Sequence, residues 1–96
     1  MNEISVIVPE NFVTDEATQF RRRIINLIRN GEKNFNIDFS KCSFMDNMGI
    51  GALMVIYNKC KTINGSFKLL AVDNPNIIKI FELTELTNLF EIKNQI

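Results

Sequence analysis

Ser43-Phe44-Met45-Asp46-Asn47-Met48-Gly49-Ile50-Gly51 joins two different hydrophobic periodicities. A strand-like run, Phe35 to Phe39, precedes it, and a long apolar run, Ile50 to Tyr57, follows. Asp46 is suited to cap a helix, because its carboxylate can accept from first-turn N–H groups that lack an intrahelical partner. Gly49 and Gly51 fall in that first turn. Glycine there weakens a helix but lets another backbone or a partner come close. A helix N-terminus is also where an anion is held most readily. The stretch reads as a strand-to-helix junction that presents its tip.

Upstream, Phe35, Ile37 and Phe39 alternate with Asn36 and Asp38, which predicts a strand with one packed face and one nearer solvent. Downstream, the helix from Asp46 carries Ile50, Leu53, Met54, Val55, Ile56 and Tyr57. That is wider than one amphipathic stripe, so this helix is either deeply buried or partly offered to a partner. Lys59 and Lys61 suit its C-terminal turn, and Asn64-Gly65 ends it. Ser66 to Val72 reads as a strand. Asp73-Asn74-Pro75 is a turn, with Pro75 at the first position of a short helix carrying Ile77, Ile78, Ile80, Phe81 and Leu83. Leu86, Leu89, Phe90 and Ile92 form a last apolar cluster.

At the amino end, the β-branched run Ile4 to Val8 predicts a first strand, ended by Pro9. Thr14, ahead of Asp15 and Glu16, is the expected N-cap of a helix whose Phe20, Ile24, Leu27 and Ile28 face the core. Arg21, Arg22 and Arg23 suggest phosphate binding as a charge run, but helical spacing spreads them around the solvated side. Asn30-Gly31 is a helix stop with glycine left-handed at the C′ position. Strands alternating with helices at short connections predict an α/β domain with a mainly parallel sheet and right-handed crossovers. Phe35, Ile37, Phe39, Leu53, Ile56, Leu69 and Phe81 are its expected core.

Composition sets limits on function. A chain of 96 residues, 46% of them apolar, fits a single domain over residues 1–96 with one core. Eleven basic and eleven acidic residues cancel, so charge makes no case for nucleic acid or an anionic membrane. No run has the length of a membrane span and no signal-peptide pattern opens the chain, so a cytoplasmic location without membrane insertion is expected. There is no histidine, and Cys42 and Cys60 are the only cysteines. Two thiols alone make no zinc site, and no metal or cofactor is expected. A disulfide is allowed by count, but buried free thiols are the expectation. No Ser-His or Cys-His pair, useful carboxylate pair or phosphate loop supports an enzyme.

The whole pattern, strand, Ser-Phe-Met-Asp-x-x-Gly-x-Gly, apolar helix, Asn64-Gly65 and strand, resembles the STAS domain family, the fold of bacterial anti-sigma factor antagonists. The likeness runs from about Ile37 to Ile92 and is sharpest at Phe39 to Gly51. Phe81-Glu82-Leu83-Thr84-Glu85-Leu86, then Leu89-Phe90, is similar to the family's C-terminal part, where a short helix ends at Ser or Thr. The resemblance implies an α/β STAS-like fold: a mostly parallel or mixed sheet of four to five strands with packed helices. In the family the residue after the Asp is the serine or threonine that a partner kinase phosphorylates. Here that position is Asn47, followed by Met48, and neither can accept a phosphate. The family's opening pair of strands is expected to be reduced to one. Its Gly-Glu-hydrophobic-Asp turn is matched by Pro9-Glu10-Asn11-Phe12, where Phe12 replaces the acid that lies near the phosphoacceptor.

The resemblance therefore implies a non-catalytic module that binds a protein partner, such as an anti-sigma factor serine kinase, without the serine switch. Asp46, Asn47, Met48, Gly49 and Ile50 are the expected partner-binding residues. The alternative is a structural STAS subunit of a larger assembly, in a stress-signalling complex or a lipid transporter.

Overall fold

Strand β1 (Ile4–Ile7) pairs in parallel with β3 (Asn34–Asp38), β3 with β5 (Ser66–Leu70), and β5 with β6 (Glu91–Lys93). The sheet order is thus β1-β3-β5-β6. Two short strands, β2 (Asn11–Phe12) and β4 (Phe44–Met45), form a separate parallel pair. Helices α1 (Thr14–Arg29), α2 (Asn47–Thr62) and α3 (Pro75–Leu83) fall between strands, and a single 3-10 turn spans Leu86–Asn88. This computed structural model describes residues 2–93. Every pairing among them is parallel, at the four-strand end of the expected range.

Register puts Phe35 beside Phe67 and Ile4, and Ile37 beside Leu69 and Val6. These residues make the inner face, where α1 packs on α2 and α2 on β5. All of the core expected from periodicity is buried: Phe35, Ile37, Phe39, Leu53, Ile56, Leu69 and Phe81. Parallel sheets are commonly covered on both faces. Here the alternation leaves the second face polar and half-exposed, with Asn34, Asn36, Asp38, Ser66 and Lys68 along it. Glu3 ties three strands across that face, accepting from Asn36 Nδ2 at 3.0 Å and Lys68 Nζ at 3.2 Å.

The helix ends follow local rules. The N–H of Glu32 donates to Leu27 O and that of Gly31 to Ile28 O, a Schellman closure with Gly31 at φ +102°. The same closure ends α2: Gly65 N–H to Cys60 O and Asn64 N–H to Lys61 O, with Asn64 left-handed. Gly65 answers a different need, since a Cβ there would overlap the Lys33 carbonyl oxygen. Asn74 Oδ1 caps α3 through Asn76 N, with Pro75 in the first turn. Thr84 follows α3, its hydroxyl donating to Ile80 O at 2.7 Å.

Two expectations need correction. Thr14 does not cap α1. The cap position is Val13, without a side-chain hydrogen bond, and Thr14 lies inside the helix at φ +32°. Pairing of β2 with β4 carries the extended chain up to Phe12, so the helix starts one residue earlier and strains a β-branched residue. Leu89 leaves the final apolar cluster. It is exposed because the 3-10 turn rotates it outward, while Leu86 and Phe90 are buried. The Phe90 ring packs 5.3 Å from both Tyr57 and Phe67.

Candidate partner-binding tip

The tip is built by two pieces of chain distant in sequence. The Glu10 carbonyl accepts from Ser43 N at 2.9 Å and Phe44 N at 3.2 Å, and Phe12 O accepts from Asp46 N at 3.4 Å. These bonds hold Pro9-Glu10-Asn11-Phe12 against the entry to α2. Asp46 is extended and caps the helix, its Oδ1 accepting from Met48 N at 2.9 Å and Gly49 N at 3.1 Å. Its negative charge occupies the place where an outside anion would be held, so the dipole of α2 is already answered.

Asn47 and Met48 stand exposed at the head of α2, with Met48 52% accessible. Asp46 and Ile50 are half-buried, and Gly49 is fully inside. Phe12, at the position where the resemblance led to the expectation of a lost acid, is entirely buried and packs edge-on against Phe20 at 5.0 Å. An aromatic in the core and a carboxylate near a phosphate are incompatible uses of one position. Ser43 donates its hydroxyl to Glu10 O at 3.4 Å, and Asp38 Oδ1 accepts from Ser40 N at 2.8 Å. Ser40 thus belongs to a turn, as its position before the helix suggests, whereas the Ser43 hydroxyl serves neither turn nor cap and bridges to the Glu10 segment instead.

The thiols play no part at the surface. Cys42 and Cys60 are free and buried, and burial pushes each thiol up to about 11. They are neutral at neutral pH and poor nucleophiles. Among the described residues, no cluster of histidine, cysteine or carboxylate is placed to hold a metal, and no helix is long and apolar enough to cross a membrane.

Sequence reasoning missed Phe44. It is 48% exposed in β4, and Val55, two turns along α2 from Met48, is 39% exposed. The wide apolar surface of α2 therefore divides. Leu53, Ile56 and Cys60 go inward, while Met48 and Val55 stay outside. Nothing local to Phe44 signals this, because a two-residue strand has no periodicity to read.

The two glycines also divide. A Cβ on Gly49 would overlap Phe12 O and lie 2.7 Å from Met45 Cγ, whereas one on Gly51 would meet nothing within 4 Å. Gly49→Ala should therefore destabilise by about 1–3 kcal/mol through overpacking against backbone. Gly51→Ala should stabilise by up to about 1 kcal/mol through helix propensity. Urea denaturation of the pair checks both signs, and equal midpoints would contradict the packing of β2 under α2.

Comparison with known proteins agrees with this geometry. A candidate anti-sigma factor antagonist from Thermotoga maritima superposes with a TM-score of 0.83 at 21% identity, over 96% of this chain and 80% of that one. The anti-sigma factor antagonist SpoIIAA in its unphosphorylated form gives 0.80 at 20% identity, over 97% and 81%. The phosphorylated form of the Bacillus cell fate determinant SpoIIAA gives 0.74 at 18%, over 97% and 84%. These likenesses are of fold. The sequence model of the STAS domain matches residues 6–96, nearly the whole chain. With the α/β order, the capped junction at Asp46 and this match together, the chain belongs to the STAS domain family.

Proposed function

We propose that this STAS domain is a non-catalytic protein-binding module. It engages a regulatory partner through the tip at Asp46, Asn47, Met48 and Ile50, with Gly49 packed beneath them against Phe12, and without a phosphorylation switch. One observation carries the reading: Asn47, the residue after the capping Asp, is exposed at the head of α2 and has no hydroxyl. Its amide presents a polar, uncharged surface like that of an unmodified serine. The buried Phe12 supports the same reading, since the neighbouring acid is gone along with the hydroxyl. SpoIIAA, by its name, opposes an anti-sigma factor, and the partner class proposed is that one, a serine kinase of the anti-sigma type.

The test is incubation with ATP and such a kinase, followed by intact-mass spectrometry and gel filtration. The expected result is a complex that persists in ATP, with no phosphate on Ser40 or Ser43. Stoichiometric phosphate on Ser43, with release of the kinase, would show a switch that has moved rather than one that is lost.

A further inference from the structure

Arg29 suits the last turn of α1, but Arg21 and Arg22 in its middle make no ion pair among the described residues. Arg21, Arg22 and Arg29 line a shallow groove with Ile25. Arg21 also borders the adjoining groove between α1 and α2, whose wall includes Thr18, Met48, Gly51 and Val55. The two grooves therefore meet at Arg21. Among the described residues, none of these guanidinium groups makes a salt bridge. The acids of α1, Asp15 and Glu16, sit in its first turn, ahead of the arginines. Lys59 follows Val55 by one turn on the exposed side of α2. A chain of zero net charge thus sets Arg21 on the wall of the apolar recess and Arg22 and Arg29 on the groove that adjoins it.

Gly51 is the second observation. It is exposed, it has open space where a Cβ would stand, and alanine is the better helix former. No contact within the chain asks for glycine there. A bare backbone at that point does admit the close approach of another helix. Met48, Gly51 and Val55 follow helical spacing, which suits a groove that receives apolar anchors at i, i+3 or i+4 and i+7. Arginine pairs with carboxylates in a planar two-bond geometry and is weakly hydrated, so it suits an interface rim. A bilayer surface is flat and would leave the recess at Gly51 unfilled.

We infer that the groove between α1 and α2 receives an amphipathic helix of a partner protein, with its apolar face on Met48, Gly51 and Val55 and its acidic flanks on Arg21, Arg22 and Arg29. This rests on the partner-binding reading and specifies the partner's chemistry. Complementary charge speeds the encounter and excludes basic partners, and its effect weakens with salt.

The test is selection of a phage-displayed library of amphipathic helical peptides, random in flank charge, against the folded wild-type chain. Enriched peptides should carry Asp or Glu beside the apolar stripe. The Kd of the best of them, read by fluorescence polarisation, should rise about tenfold or more with Arg21→Glu/Arg22→Glu, and likewise with Gly51→Gln, which fills the recess. Circular dichroism melts should show no loss of stability in either variant, with Gly51→Gln at or above wild type through helix propensity, since both sites are exposed or half-exposed. Enrichment of neutral or basic peptides, or undiminished binding to both variants, would overturn the inference. So would arginine-dependent sedimentation with phosphatidylglycerol vesicles and no peptide enrichment. Asn47 lines the same groove as well as the tip, so it is the arginine pair, outside the tip, set beside Asn47→Asp that separates this inference from the one beneath it. If the kinase complex is lost with Asn47→Asp but not with the arginine pair, the tip stands and the groove falls. If acidic peptides need the arginines while Asn47→Asp leaves the kinase complex unchanged, the groove stands and the tip falls.

Discussion

Phe39→Ala should lower the free energy of unfolding by about 3–5 kcal/mol. Phe39 is 1% exposed at the end of β3, and its ring meets that of Phe81 edge-on at 5.6 Å. Its N–H donates to Leu70 O at 2.9 Å, so the backbone there is tied to β5 and has little freedom to close a cavity. The contact also helps to hold α3, a helix of 9 residues that is too short to stand alone, against the end of β3. The loss should therefore exceed that for a residue inside one element. Domains of this size are typically stable by about 5–15 kcal/mol, so the variant should unfold well below the wild-type urea midpoint. Phe81→Ala should cost a similar amount. The double variant should cost less than the sum, because the first truncation already removes the ring pair, worth about 0.5–1.5 kcal/mol. An unchanged midpoint for Phe39→Ala would mean that its facing is wrong.

Asn47→Asp should separate stability from binding. The new carboxylate stands beside Asp46 in the first turn of α2. Acids near a helix N-terminus are favourable by about 0.3–1 kcal/mol, and this term offsets repulsion from Asp46 at an exposed site. The melting temperature should stay near that of wild type. In a complex, however, the carboxylate must lose water, and an unpaired charge enclosed in an interface costs several kcal/mol. A partner with acidic flanks would add repulsion to that cost. The complex with an anti-sigma-type kinase, followed by calorimetry, should weaken by two or more orders of magnitude, roughly 3 kcal/mol or more. Asn47→Ser should bind as wild type does and create an acceptor for the kinase. If Asn47→Asp binds like wild type, the tip is not the interface, and a structural subunit of a larger assembly becomes the better reading.

The sequence alone determined everything whose cause is local. Alternation at Phe35, Ile37 and Phe39 named the buried side of β3, because a strand turns successive side chains to opposite faces. Asp46, Asn74-Pro75 and Asn30-Gly31 marked helix ends, because the groups they satisfy lie within a few residues. Thr14 failed as a cap because β2 pairing with β4 decides where the chain leaves its extended form, and that partner lies some thirty residues away.

Only the tertiary structure decided what the rest of the tip does. The strand order β1-β3-β5-β6 depends on contacts between distant segments, which no local pattern encodes. Gly49 and Gly51 are two residues apart in one helix and chemically identical. One is held against Phe12 and the other is open, and only the approach of β2 tells them apart. The arginines of α1 read as a solvated face, and they remain exposed or half-buried. What periodicity could not show is that packing of α1 on α2 sets Arg21 on the wall of a recess containing Met48, Gly51 and Val55, with Arg22 and Arg29 on the groove beside it. A helix records in its sequence which side is polar. What that side stands next to is set by the neighbour the fold brings to it.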